Sequence, residues 1–256
     1  MTAILTEARI YDDLAEFYQL WRDACLGRKA SESDEVKFLL EVFASSKSVK
    51  TVIDLGGGTG VHAIPLAKHG FDVTILDKSP NAISIARRNF SEIKTVQSSF
   101  ETMTLTRSFD ASICMLSSFT YILDEPGRRH FYRWLSEHTR DLLVLDQGNF
   151  ARYPKTFNDR FQGEDKHFSL KVARDWYIED RTKHTSFLYE FVDKASEAAK
   201  VLADEQVQRY VTIEEQVAYL GKGWRLVALL GDYNLKNIFD EQSSPRMICV
   251  FKRVRD

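Results

Sequence analysis

Leu14, Phe17, Tyr18 and Trp21 recur at helical spacing, and Val36, Leu39, Leu40 and Phe43 do so again. The pattern predicts two helices within residues 1–48, with Ser31, Ser33 and Asp34 as capping candidates for the second. From Thr51 the pattern changes to short apolar strands alternating with helical segments. Strands are predicted over Thr51–Leu55, Asp72–Leu76, Lys94–Gln97, Phe109–Leu116 and Leu142–Leu145. Helices are predicted over Val61–His69, Pro80–Phe90 and Pro126–His138. Ser79 before Pro80 is an N-cap pattern, and Gly70 is a candidate C-cap. The alternation predicts an α/β fold: a Rossmann-like, mostly parallel sheet with helices on both faces.

The alternation stops near Ala151. Phe168–Ile178, Thr185–Val192 and Val207–Val211 read as strands separated by polar turns. Such a segment is too long for a plain loop, so an inserted antiparallel β-sheet is expected over 151–210. A helix at Thr212–Gly221 and strands at Arg225–Leu230 and Arg246–Phe251 follow. The expected division is a helical cap over 1–48, a core over 49–150 and 211–256, and the insertion over 151–210.

Composition narrows the function classes. The 256 residues are 44% hydrophobic and 28% charged, with a formal net charge of -2. No basic stripe marks a nucleic-acid partner. The three cysteines, Cys25, Cys114 and Cys249, are far apart and odd in number, so neither a disulfide framework nor a zinc site is expected. The longest apolar runs are strand-sized, and the first ten residues hold no long apolar stretch. The expectation is a cytoplasmic protein with no membrane partner. No His/Asp/Glu string has metal-ligand spacing, and no metal is expected.

The chemistry concentrates at Asp54-Leu55-Gly56-Gly57-Gly58-Thr59-Gly60, which closes the first apolar strand. Glycines at a strand-to-helix turn let a ligand approach the backbone closely. The third glycine of a dinucleotide fingerprint would fall on Val61, and an acid precedes the turn. A pyrophosphate would be repelled by Asp54, whereas a phosphate-free cation is favoured there. Asp77 ends the next strand, where an acid can accept hydrogen bonds from both ribose hydroxyls. Each acid also has a plainer reading, Asp54 as a turn cap and Asp77 as a helix N-terminal acid.

These segments resemble the class I S-adenosylmethionine-dependent methyltransferases. Val52 to Gly60 looks like that family's first motif, Val73 to Pro80, with Lys78, like its second, and Phe109 to Cys114 like its fourth-strand motif. Tyr11-Asp12-Asp13-Leu14-Ala15 with Tyr18 resembles the N-terminal entry of the small-molecule subgroup, which includes amino-sugar and glycine N-methyltransferases. Gly231-Asp232-Tyr233 and Ser244-Pro245-Arg246-Met247-Ile248 are similar to its C-terminal pattern.

The resemblance implies a seven-stranded sheet with its last strand antiparallel, and S-adenosylmethionine as cofactor. It implies that Asp54, Gly56, Gly58, Gly60, Asp77 and Lys78 bind that cofactor. It places Ser99 and Phe100 at the adenine, where Ser99 stands in for the family's usual acid, and Leu116 beside the cofactor. Tyr11 and Tyr18 would close over the methionine end, or simply pack a helix face. His62 is expected near the cofactor at a helix N-terminus.

Methyl transfer from a sulfonium is an in-line displacement in which the protein aligns acceptor, methyl and sulfur. Asp146, at the end of the fifth strand, is a candidate base. Tyr121, Asn149, Asp232 and Tyr233 are candidates for the pocket of a small-molecule acceptor, and Tyr18, Asp146 and Tyr121 form the candidate catalytic set. The aromatic-rich insertion is expected to roof that pocket, with its other face open to pair two subunits. Two other readings remain at this point: a non-catalytic S-adenosylmethionine-binding protein, and an NAD-dependent oxidoreductase. Asp54 argues against the second.

Overall fold

The computed structural model describes residues 6, 7, 9–26, 34–46 and 48–254. The capping candidates Ser31 and Ser33 lie outside them. The chain forms two units, one drawn from Met1–Ser31 and Pro154–Val207, the other from Glu32–Tyr153 and Gln208–Asp256. In chain order the elements are β1 (Thr6–Glu7), α1 (Tyr18–Leu26), α2 (Asp34–Ala44), β2 (Thr51–Leu55), α3 (Ala63–Lys68), β3 (Asp72–Asp77), α4 (Pro80–Asn89), β4 (Lys94–Gln97), β5 (Phe109–Cys114), α5 (Glu125–His138) and β6 (Thr139–Gly148). Then come β7 (Thr156–Glu164), β8 (Phe168–Glu179), β9 (Thr182–Asp193), β10 (Ala199–Arg209), α6 (Ile213–Leu220), β11 (Trp224–Leu230) and β12 (Arg246–Arg253).

The larger unit is a seven-stranded sheet in the order β11-β12-β6-β5-β2-β3-β4. β2 pairs in parallel with β3 and β5, and β12 runs antiparallel between β6 and β11. Strand order reverses between β2 and β5, which makes their carboxyl ends the place where an α/β sheet opens a crevice. The strands are short and apolar because they are covered on both faces. Val52, Val73, Ile75, Ala111, Ile113, Val144 and Ile248 pack with Phe38, Leu39 and Val42 of α2 and Leu66 of α3. The second N-terminal helix therefore belongs with the sheet, although the sequence division grouped it with residues 1–26.

Local signals set the helix ends. The Ser79 hydroxyl accepts the Ala82 amide at the start of α4, with Pro80 in the first position. Thr212 and Glu215 form a reciprocal capping box at the start of α6. The helix expected from Val61 begins at Ala63, because the glycine turn runs on through His62.

The smaller unit is a sheet in the order β1-β10-β9-β8-β7, in which β7–β8 and β8–β9 are antiparallel hairpin pairs. It holds its own core: Ile10, Leu14, Leu20, Leu170, Val172, Phe187, Tyr189, Phe191 and Leu202. The expected inserted sheet is present, with one more strand than the sequence predicts. Thr156–Glu164 forms a full strand that the reading missed, and the strand expected from Val207 starts at Ala199. Among the described residues no helix is long and apolar enough to cross a membrane.

Candidate cofactor site

β2 delivers Asp54 to the switch point with almost no exposure, 1%. Among the described residues neither carboxylate oxygen has a well-formed hydrogen bond, although the Ala63 amide is close enough to favour its charge. Burial, reinforced by the nearby Asp77 charge and offset in part by the Ala63 amide, pushes the Asp54 carboxyl up to about 7. A buried carboxylate is costly unless a cation joins it. Gly57 makes room for it: a Cβ there would lie 2.8 Å from Asp54 Oδ2.

The turn after Asp54 is built from left-handed glycines, with φ of +73° at Gly56, +53° at Gly58 and +87° at Gly60. At Gly56 a side chain would also collide with Ser118, whose Cβ would be 2.7 Å from it. Gly56 donates its amide to the Leu76 carbonyl, 2.7 Å, which ties the turn to β3. Asp77 completes the tie. Its Oδ2 accepts the Gly58 amide at 2.9 Å and its Oδ1 the Ser79 amide at 2.8 Å. Desolvation raises the Asp77 carboxyl, and these amides and the exposed Lys78 beside it pull the other way.

Ser99 and Phe100 lie in the turn after β4. The Ser99 hydroxyl shares a 2.9 Å hydrogen bond with the Thr102 hydroxyl, and the Phe100 ring packs on Phe131 with centroids 5.0 Å apart. Phe100 also borders Gly56, since a Cβ on that glycine would be 3.2 Å from its Cζ. The expected adenine residues and the glycine turn are thus brought together. His62 is buried at the N-cap of α3.

After β5 the chain turns through Leu116, φ +54°, and Ser117, φ +69°. Left-handed non-glycine residues cost on the order of 1–3 kcal/mol each and persist only where their surroundings fix them. Here Asp146 does so. Its Oδ2 accepts the Leu116 amide at 2.8 Å, and its backbone carbonyl accepts the Ser117 amide at 2.9 Å. The same Oδ2 accepts the Tyr233 hydroxyl at 2.9 Å, and Oδ1 accepts Arg246 Nε at 2.5 Å. Asp146 is completely buried, and Arg246 lies two residues along the antiparallel partner strand, where Arg246 faces Gly148 and Ile248 faces Asp146. The ion pair holds the Arg246 guanidinium charged. Burial, with the adjacent Asp146 charge, pushes the Tyr233 phenol well up.

Asp146, the candidate base, has both oxygens engaged as acceptors, and so anchors the turn after β5. Sequence reading missed its partners in that role, together with Ser117 and Ser118. Arg246 stands in the C-terminal Ser-Pro-Arg pattern, which was the available signal. Asn149 is also inward-facing, its amide donating to the Glu241 and Ser244 carbonyls at 2.8 and 2.9 Å. Asp232 accepts from Asn234 and Asn237 in its own loop, and Tyr121 closes the short 3-10 turn Ser118–Tyr121. Tyr11 and Tyr18 belong to the smaller unit, where both rings pack against Trp21.

The residues fit S-adenosylmethionine. A buried carboxylate with no well-formed hydrogen bond lies against a turn that uses three left-handed glycines, with an acid at the end of the next strand and an aromatic ring beside the turn. Comparison with known proteins agrees. A methyltransferase-domain family model matches residues 52–141. The glycine/sarcosine N-methyltransferase of Aphanothece halophytica is 31% identical over 193 residues, covering 70% of this chain and 69% of that protein. The glycine N-methyltransferase of Oryctolagus cuniculus is 28% identical over 159 residues, and the match covers 54% of this chain and about half, 52%, of that protein. In fold, the sugar N-methyltransferase KedS8 from Streptoalloteichus superposes with a TM-score of 0.80 at 17% identity, covering 100% of this chain and 98% of that one. The S-adenosylmethionine-bound amino pentose methyltransferase CalS10 from Micromonospora echinaspora gives 0.74 at 19% identity, covering 92% and 97%. The chain belongs to the class I S-adenosylmethionine-dependent methyltransferases. It is an enzyme of that family, with S-adenosylmethionine as cofactor and a small molecule as methyl acceptor.

Proposed function

We propose that this enzyme methylates the nitrogen of a small amine. The observation that carries the reading is the state of the two acids at the carboxyl ends of β2 and β6. Asp54 is buried beside the glycine turn with no well-formed hydrogen bond and, among the described residues, no cation paired to it. Asp146 is locked by Arg246, Tyr233 and Leu116. An ammonium must shed one proton to free its lone pair, after which the neutral amine attacks directly, whereas an alcohol depends on a base. A site whose strand-end acid is structurally engaged therefore suits nitrogen better than oxygen. Relatives named for glycine, sarcosine and sugar nitrogen methylation support the same class of acceptor.

In this reading S-adenosylmethionine supplies an activated methyl carbon on a sulfonium. Asp54 faces its cationic end and remains ionised there. The Gly56–Gly60 backbone would line its approach, Asp77 would take the ribose hydroxyls, and Phe100 would lie against the adenine with Ser99 at its edge. The Leu116–Ser117 turn forms the wall opposite the glycines. Lys78 stays at the surface beside Asp77. The buried setting excludes water, and the rigid loop and turn supply alignment, an effect worth roughly 7–11 kcal/mol in well-oriented systems.

The test is a transfer assay with methyl-labelled S-adenosylmethionine against glycine, sarcosine, amino sugars, phenols and hydroxy acids, read by mass spectrometry. Label is expected on nitrogen in at least one amine. Label found on oxygen alone would overturn the nitrogen assignment.

A further inference from the structure

We propose that Arg246 is a positioning residue for the cofactor loop: through the Asp146 carboxylate it holds the Leu116–Ser117 turn in the form that seats Ser118 against Gly56. The proposal rests on the cofactor-site reading above and extends it to a strand that does not reach the glycine turn.

Each link is a contact within the larger unit. Arg246 Nε donates to Asp146 Oδ1, and Arg246 Nη2 lies 3.5 Å from the Ser117 hydroxyl. Asp146 holds two consecutive backbone amides, Leu116 through its side chain and Ser117 through its carbonyl. The Ser117 hydroxyl accepts the Gly148 amide at 2.9 Å, so the turn is also clamped to the end of β6. Ser118 follows at once, its hydroxyl donating to the Met115 carbonyl at 3.0 Å. That places the Ser118 Cβ where any side chain on Gly56 would strike it.

Two left-handed non-glycine residues do not persist on their own preference. What fixes them is a carboxylate with no exposure, whose direction is held by the cation beside it. Arg246 is that cation, and its planar fork sets the direction of Asp146. Tyr233 steadies the second oxygen. Without Arg246 the Asp146 carboxylate is free to rotate, and the Leu116 amide loses its oriented acceptor. The turn then relaxes toward ordinary backbone angles, and Ser118 no longer packs on the glycine loop.

The test uses the full chain with S-adenosylmethionine as the probe, in a double-mutant cycle of Arg246→Met and Asp146→Asn. Arg246→Met is expected to weaken cofactor binding by about tenfold or more, and Arg246→Lys by less. Because Arg246 acts through Asp146, adding Arg246→Met to Asp146→Asn should cost no more than about twofold further. In the cofactor-free protein, amide hydrogen exchange should quicken at Leu116, Ser117 and Gly148 and stay unchanged at Val144 and Val250. Wild-type affinity in Arg246→Met, or losses that simply add, would overturn the proposal. If Arg246→Met does not fold, Tyr233→Phe removes one donor to the same carboxylate. It should quicken exchange at Leu116, and unchanged exchange there contradicts the chain of contacts. If the parent protein itself fails to bind S-adenosylmethionine, the cofactor reading falls, and exchange at Leu116 and Ser117 still decides the turn.

Discussion

Asp77 Oδ2 accepts the Gly58 amide at 2.9 Å, so the acid that ends β3 is bonded to the loop that follows β2. The residue proposed to take the ribose is also the one that braces the glycine turn. Asp77→Ala should therefore weaken S-adenosylmethionine binding by more than a lost hydrogen bond would, on the order of 2–3 kcal/mol or about 30–140-fold. Asp77→Asn keeps one acceptor oxygen and should lose less. Calorimetric titration of both variants against the parent separates bracing from ribose contact.

Asp54 predicts a pH dependence with a definite sign. Its carboxyl is raised from 3.8 to about 7. Between those values the folded protein keeps a proton that the unfolded chain has lost. The Asp54 contribution therefore makes the cofactor-free protein less stable as pH rises through that window, and flat above it. Binding a cation has the opposite preference, because it needs the ionised form. Affinity for S-adenosylmethionine should fall as pH drops below about 7, by up to about tenfold per pH unit, and binding near pH ~6 should release a proton. Titrations in buffers of different ionisation enthalpy count that proton, and Asp54→Asn should abolish it.

Gly56→Ala tests the closeness of the loop and the turn after β5. The substitution meets both a φ of +73° and a Ser118 Cβ only 2.7 Å away. Cofactor binding should be lost or reduced by at least about a hundredfold, while the protein stays folded, since strain of on the order of 1–3 kcal/mol falls within the margin of a typical domain. Wild-type binding by this variant would mean that Ser118 does not border the site.

How much was legible in the chain depended on how local each signal was. Asp54, the glycines and Asp77 sit within two strand ends and a turn, and both periodicity and residue type marked them. Ser79 and Thr212 were readable for the same reason, as caps decided by a few neighbouring residues. The Asp146–Arg246 pair was not, because its partners are separated by a hundred residues, |i−j| = 100, and meet only through the register of an antiparallel strand. Asp146 alone looked like a strand-end base. β7 was missed for another reason. Its sequence, Thr-Phe-Asn-Asp-Arg-Phe-Gln-Gly-Glu, has few apolar positions, and its side chains are mostly exposed. Pairing with β8 makes it a strand, and pairing leaves no mark in the apolar pattern.

Thr212→Ala supplies a contrast remote from the cofactor. It breaks the capping box of α6, in which Thr212 accepts the Glu215 amide and Glu215 accepts the Thr212 amide. The expected loss is ~1 kcal/mol in chemical denaturation, with cofactor affinity unchanged.

The central claim is that the glycine turn with Asp54 serves a cationic, phosphate-free cofactor. Calorimetric titration at about pH 8, with S-adenosylmethionine and NAD tested side by side on the folded parent protein, addresses it most directly. S-adenosylmethionine should bind with a Kd on the order of micromolar, with Asp54→Asn much weaker and NAD giving no heat. A folded protein that gives no heat with S-adenosylmethionine, or that prefers NAD, would contradict the account.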